Sequence, residues 1–109
     1  MHSTTARAAL AGLTRTLAHS WRDDGIALFC LAPGTVHTAG VADELPAAAL
    51  RRVVDSTPFG RDTSRYEVAE WVAALGTGIA DAVSGSFVEL DGGAGLVDAA
   101  SRLLPEETP

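Results

Sequence analysis

Residues 26–34 read IALFCLAPG, and this stretch decides the fold class of the chain. Its first seven residues are all apolar, which is the length of a β-strand without polar alternation. Such a strand is typical of a parallel sheet that is covered on both faces. Pro33 and Gly34 then end it abruptly. The sequence therefore predicts an α/β protein with a buried strand over residues 26–32.

The segment before this strand has helical periodicity. Over residues 3–24, apolar side chains recur at steps of three and four and form one stripe: Ala6, Leu10, Leu13, Leu17 and Trp21. A hydroxyl group of Ser3, Thr4 or Thr5 can cap the first turn. Gly25 is placed to end the helix in a left-handed conformation.

After the strand, the chain makes a long excursion over residues 35–60. Residues 35–43 have the composition of a loop, and Pro46 begins a short helix with Leu50, Val53 and Val54 on its apolar side. Residues 58–63 return to loop. Excursions from the carboxyl end of a strand are where α/β sheets place ligand contacts.

A second helix and a second strand follow. Ser64 and Glu67 have the spacing of a capping box, and the helix carries an apolar side before it ends at Gly76 or Gly78. Residues 86–90 (SFVEL) are a second strand, which the sequence Asp-Gly-Gly at 91–93 terminates. Two strands joined by a helical crossover should be parallel and right-handed. A short helix is possible around residues 96–104, and the final PEETP is expected to be disordered.

Composition excludes several classes of function. The net charge of -6 disfavours nucleic acid as a partner, and no apolar run reaches the roughly 18 residues of a membrane span. The single cysteine, Cys30, excludes an internal disulfide and is expected to be a small buried hydrophobe. The three histidines have no metal-ligand spacing, so we expect no metal site. These features favour a soluble, cytoplasmic protein.

Four segments, in order, resemble the last third of a short-chain dehydrogenase/reductase: AALAGLTRTLA (8–18), GIALFCLAPGTVHT (25–38), FGR (59–61) and SGSFVELDGG (84–93). The resemblance implies part of a Rossmann-like, doubly wound parallel sheet, namely the last two strands with their helices. Residues 1–95 would be the C-terminal part of that domain, and residues 96–109 a partly disordered extension. A weaker resemblance, over residues 2–8, is to the trans-2-enoyl-CoA reductase branch.

The same resemblance implies a cofactor, NAD or NADP, and a set of binding residues. Pro33 and Gly34 resemble the start of the loop at the nicotinamide end, where the Val36 backbone and the Thr38 hydroxyl would bind the carboxamide. Residues 39–61 resemble the mobile substrate loop. Substrates would be carbonyl compounds, alcohols or enoyl thioesters.

The catalytic positions depart from the family pattern. Ser3 stands where the family has its catalytic Tyr, and Arg7 where it has Lys. The chain has no lysine at all and a single tyrosine, Tyr66. A serine hydroxyl cannot replace a tyrosine in this acid–base chemistry, whereas the guanidinium of Arg7 could still contact a ribose. The glycine-rich phosphate loop and the family's catalytic Ser have no counterpart in the chain.

Two hypotheses follow. The chain is the C-terminal part of an NAD(P)-dependent oxidoreductase and is inactive alone, or it is a catalytically inactive short form that acts as an oligomerisation or protein-binding module. In either case, the strand at 26–32 would have only one neighbour in the sheet. The other edge would offer unpaired backbone groups to a second chain, so we expect a homo-oligomer or poor solubility.

Overall fold

A computed structural model of the protein describes residues 2–97. Its main elements are α1 (His2–Ser20), β1 (Cys30–Pro33), α2 (Ala39–Glu44), α3 (Ala47–Asp55), α4 (Arg65–Leu75) and β2 (Phe87–Leu90). Short 3-10 turns lie at Arg22–Asp24, Asp81–Val83 and Ala94–Leu96. The two strands pair in a two-stranded sheet, and the predicted parallel direction is confirmed. The α/β fold class is therefore confirmed.

The chain divides into two compact units. Within the described residues, the first contains residues 2–32 and 66–88, and the second contains residues 33–65 and 89–97. The helices α1 and, from Tyr66 onward, α4 belong to the first unit, whereas α2 and α3 belong to the second. The predicted helix over 96–104 and the predicted disordered tail lie, from residue 98, outside the described residues.

The helix α1 ends at Ser20, four residues before the end that the sequence predicts, and a 3-10 turn over Arg22–Asp24 follows it, with Gly25 as the cap of that turn. Gly25 adopts φ 71°, and its N–H donates to the Arg22 carbonyl at 3.1 Å. The start of the helix differs from the prediction, because α1 begins at His2, and the three proposed caps lie inside its first turn. No glycine or proline precedes Ser3, so the helical backbone continues one residue further.

Strand β1 is shorter than predicted, since residues 26–29 precede it as irregular backbone. The backbone that lies beside Leu28 is the turn at residues 84–85 and not a strand. The Leu28 N–H donates to the Ser84 hydroxyl at 3.0 Å, and the Gly85 N–H donates to the Leu28 carbonyl at 2.7 Å. The ladder begins only where the Cys30 N–H donates to the Ser86 carbonyl at 3.0 Å. A tertiary contact thus overrides the apolar run.

The loop predicted over residues 35–43 is wrong in its second half, because α2 begins at Ala39. The Thr38 side chain accepts a hydrogen bond from the Val41 N–H at 3.3 Å and so caps this helix. A threonine at this position is a normal helix start. The helix has only six residues, too few to show apolar periodicity in the sequence.

Burial is lower than the sequence predicts. Ala18, at 7% exposure, is the one buried apolar residue among those described, and no large side chain there is fully buried. Cys30 is half-buried, and so is most of β1. The first three residues of β1 are only half-buried, so β1 is less buried than its continuous apolar run predicts. The predicted apolar stripe of α1 is also largely exposed, with Leu10 at 53% and Leu13 at 51%.

Candidate cofactor-binding loop

Four of the six residues predicted for the site lie together in the second unit, from Pro33 at the end of β1 to Thr38. Two contacts fix this segment. The Gly34 N–H donates to the Leu90 carbonyl at 3.0 Å, and the Thr63 N–H donates to the Thr35 carbonyl at 3.0 Å, which forms a parallel bridge between Val36 and Thr63. The loop is therefore held by β2 on one side and by residue 63 on the other.

Thr63 connects these two contacts. It is 9% exposed, and its hydroxyl donates to the Leu90 carbonyl at 2.5 Å while its backbone pairs with the loop. Thr63 is not apparent as a site residue from the sequence, because a threonine just before a predicted helix cap at Ser64 looks like an ordinary loop residue. Its only signal is the long-range contact with β2, which the sequence does not show.

The bridge to Thr63 uses the carbonyl of Thr35 and leaves the peptide groups of Val36 available. Within residues 2–97, neither the N–H nor the carbonyl of Val36 has a hydrogen-bond partner. Thr38 uses its hydroxyl oxygen to cap α2, and its hydroxyl hydrogen can still be donated. The segment thus offers a backbone donor, a backbone acceptor and a hydroxyl donor within three residues. A primary carboxamide, with one oxygen acceptor and two N–H donors, fits that set.

Gly34 is required by the close approach of the turn that follows β2. A Cβ at this position would lie 2.9 Å from the Cα and 3.0 Å from the Cβ of Asp91. The Asp91 carboxylate in turn accepts from the Gly93 N–H at 2.9 Å and from the Gly95 N–H at 2.7 Å. Residues 91–93, which the sequence predicts to terminate the strand, form a turn whose shape these bonds hold.

His37 lies between the two proposed carboxamide contacts. Its side chain is 61% exposed, and its Nδ1 atom is 3.8 Å from an oxygen of Asp62. The pair is at the outer limit of an ion pair, so it contributes little to stability. In the part of the chain that the structure describes, no group of three or more His, Cys, Asp and Glu side chains could hold a metal ion.

Ser3 and Arg7 belong to the first unit, on the first two turns of α1. Arg7 is exposed, and its guanidinium has no partner within residues 2–97. Tyr66, the single tyrosine, is in the first turn of α4 and is 67% exposed. Neither α1 nor α4 is long and apolar enough to cross a membrane, and the same holds for every other described helix.

Known proteins are similar to this chain over most of its length. The family model described as "Enoyl-(Acyl carrier protein) reductase" matches residues 2–95. A probable 2,4-dienoyl-CoA reductase from Bacillus subtilis is 35% identical over 96 residues, which cover 85% of this chain and 38% of that protein. The chain thus spans well under half the length of this relative.

Two solved structures are similar. A putative 2-deoxy-d-gluconate 3-dehydrogenase from Agrobacterium tumefaciens with bound NADP has a TM-score of 0.79 at 30% identity, over 86% of this chain and 39% of that one. A 3-oxoacyl-[acyl-carrier protein] reductase from Brucella melitensis in complex with NAD has a TM-score of 0.75 at 26% identity, over 84% and 36%. Structural neighbours therefore include both NADP-bound and NAD-bound Rossmann-fold enzymes. This chain belongs to the short-chain dehydrogenase/reductase family of oxidoreductases.

Proposed function

We propose that residues 33–38 bind the nicotinamide end of NAD or NADP in an oxidoreductase. The observation that carries this proposal is the free N–H and carbonyl of Val36 beside the Thr38 hydroxyl, on a loop that β2 and Thr63 hold in place. The carboxamide would be bound by these groups, which orients the ring for hydride transfer. The cofactor, when bound, would donate a hydride to a carbonyl or enoyl substrate or accept one from an alcohol, and this chain would supply the orientation.

The excursion over residues 39–61 is proposed to contact the substrate. It contains α2 and α3, and it leaves directly from the proposed carboxamide site at Thr38. The relatives include a dienoyl-CoA reductase, a 2-deoxy-gluconate dehydrogenase and an oxoacyl reductase. We therefore propose an enoyl thioester, a ketone or an alcohol as substrate. The division into a family domain over residues 1–95 and an extension over 96–109 is supported by the match, which ends at residue 95.

Catalysis by these 109 residues without a further polypeptide is not expected. The chain has no lysine, and Ser3 and Arg7 stand at the two positions where the family's Tyr and Lys are expected. Arg7 retains a positive charge that can contact a ribose hydroxyl. Without an acidic phenol, however, no described side chain of α1 is suited to move a proton to or from a substrate oxygen.

The test is a titration of the isotope-labelled protein with NAD and NADPH, followed by amide resonances. We expect saturable shifts at residues 34–38. We expect Thr38→Val to weaken the cofactor affinity about tenfold through loss of a hydroxyl contact. Thr38→Ser is the matched control, because it keeps both the hydroxyl and the cap of α2. Shifts that are absent, or that survive unchanged in Thr38→Val, would refute the cofactor proposal.

A second measurement tests turnover. The protein is mixed with NADPH and an enoyl-CoA or a ketone, and the absorbance of the reduced nicotinamide is followed. We expect no decrease above the rate without protein. A decrease that scales with protein concentration would show that the proposed inactivity is wrong.

The alternative, a protein-binding module or homo-oligomer, is favoured by the exposed apolar side chains of the first unit. They lie on α1 and α4 and include Leu10, Leu13, Trp71 and Val72, which are between 45% and 56% exposed. Isolated apolar side chains on a surface are common, but two helices with several each favour an interface. Sedimentation of the protein alone, and then with a full-length relative at micromolar concentration, distinguishes self-association from binding to that relative. A monomer that binds no relative would eliminate this alternative.

A further inference from the structure

The first unit contains a cleft of about 790 Å³. One wall is the C-terminal half of α1 with the 3-10 turn after it, and the other walls are residues 25–27 and the segment 81–87. All of these residues belong to the first unit, and none is in the proposed cofactor loop at 33–38. Ligand binding in this cleft can therefore be tested separately from the proposed function of residues 33–38.

The α1 wall is basic. Arg15, His19 and Arg22 all line the cleft, and their spacing of four and three residues places them along one side of the helix and its terminal turn. A set of two guanidinium groups and an imidazole on one wall supplies donors that match the oxygens of a phosphate or a carboxylate.

Protein carboxylates neutralise this wall only in part. The Arg22 Nε atom lies 3.3 Å from a carboxylate oxygen of Asp23, and its Nη1 atom lies 2.8 Å from the Nδ1 atom of His19. The second terminal nitrogen of Arg22 has no partner within residues 2–97. The guanidinium of Arg15 has no partner there at all. Asp81 also lines the cleft, yet it forms no ion pair with either arginine among the described residues.

The segment 81–87, which also lines the cleft, carries two hydroxyl groups. Ser84 is fixed because its oxygen accepts from the Leu28 N–H at 3.0 Å, and its hydroxyl hydrogen remains available. Gly85, at φ 88°, packs so closely on α1 that a Cβ there would be 3.4 Å from the Cβ of Ala18. Ser86 also lines the cleft, and its carbonyl accepts from the Cys30 N–H. The backbone of residues 85 and 86, beside these hydroxyls, is thus fixed by hydrogen bonds to Leu28 and Cys30.

We propose that this cleft binds a small molecule through an oxyanion group, a phosphate or a carboxylate. Arg15 and Arg22 contact the anionic oxygens, and the Ser84 and Ser86 hydroxyls, which line the same cleft, donate to them. The volume is within the range of roughly 300–1,000 Å³ that is typical of small-molecule sites. The overall charge of -6 makes a non-specific attraction of anions to the surface unfavourable, so binding depends on these local groups.

The experiment is a titration of the isotope-labelled protein with pyrophosphate and, separately, with citrate, at low ionic strength. We expect saturable shifts of the amide resonances of His19, Gly85 and Ser86. Tighter binding of pyrophosphate assigns the site to phosphate-bearing ligands, and tighter binding of citrate assigns it to polycarboxylates. If neither anion gives saturable shifts at these residues, the proposal is wrong.

A charge-matched pair of variants checks the contacts. Arg15→Gln with Arg22→Gln removes two exposed guanidinium groups from the cleft, and we expect binding to weaken at least about tenfold. Arg51→Gln with Arg52→Gln makes the same change of charge on α3, in the second unit, and should leave the affinity within about twofold. Equal weakening in both double variants would show that the anion responds to net charge and not to the cleft, which would overturn the proposal.

Discussion

Replacement of Gly34 by alanine should destabilise the protein because the added methyl group would lie too close to Asp91. The added Cβ would lie 2.9 Å from the Asp91 Cα and 3.0 Å from its Cβ. Carbon atoms pack favourably at about 3.5–4.0 Å, so both distances must lengthen by about half an ångström or more. Two bonds of the Asp91 carboxylate, to Gly93 and Gly95, resist that shift.

The size of the effect follows from two opposing contributions. Overpacking of this kind costs about 1–3 kcal/mol. The lower backbone entropy of alanine in the unfolded chain restores about 0.4–1 kcal/mol. We therefore expect Gly34→Ala to lower the free energy of unfolding by about 1–2 kcal/mol, a large part of a stability that is typically about 5–15 kcal/mol.

Gly40→Ala is the matched control. Gly40 is in α2 of the same unit, its φ is not positive, and a Cβ there would meet nothing within 4 Å. This variant should be unchanged or more stable by up to about 1 kcal/mol. Urea denaturation followed by circular dichroism measures both variants. If Gly34→Ala proves as stable as Gly40→Ala, the close approach of residues 34 and 91 is not real.

Three further changes test other contacts. Thr63→Val should lower the free energy of unfolding by about 0.5–1.5 kcal/mol, because the Leu90 carbonyl loses the Thr63 hydroxyl donor and keeps the Gly34 N–H; urea denaturation measures it, and an unchanged midpoint would contradict the bond. Gly85→Ala should lower the free energy of unfolding by about 1–3 kcal/mol, since φ is 88° and a Cβ would contact the Cβ of Ala18 at 3.4 Å. A thermal melt with no decrease in the midpoint temperature would count against this turn geometry. Leu13→Glu should shift any oligomer toward monomer in light scattering, because the 51% exposed side chain would place a charge in an apolar interface; an unaltered mass would exclude Leu13 from that interface.

The sequence by itself determined the features that depend on local interactions. Gly25 has the predicted left-handed conformation, although it ends the 3-10 turn after α1 and not α1 itself, and the capping pattern at Ser64 and Glu67 correctly predicts a helix that begins at Arg65. The parallel direction of the strands followed from the helical connection between them. The family was also visible in four short segments, since their order and spacing are preserved along the chain.

Only the tertiary structure decided the features that depend on residues far apart in the sequence. The start of β1 at Cys30, and not at Ile26, results from the bonds of Leu28 to the turn at residues 84–85. The burial of Thr63 results from its hydrogen bond to β2. The cleft of the first unit is lined by residues of two segments, 15–27 and 81–87, that lie far apart in the sequence, and no periodicity links them. Local backbone preferences can be read within one or two turns, whereas these contacts exist only once the chain has folded.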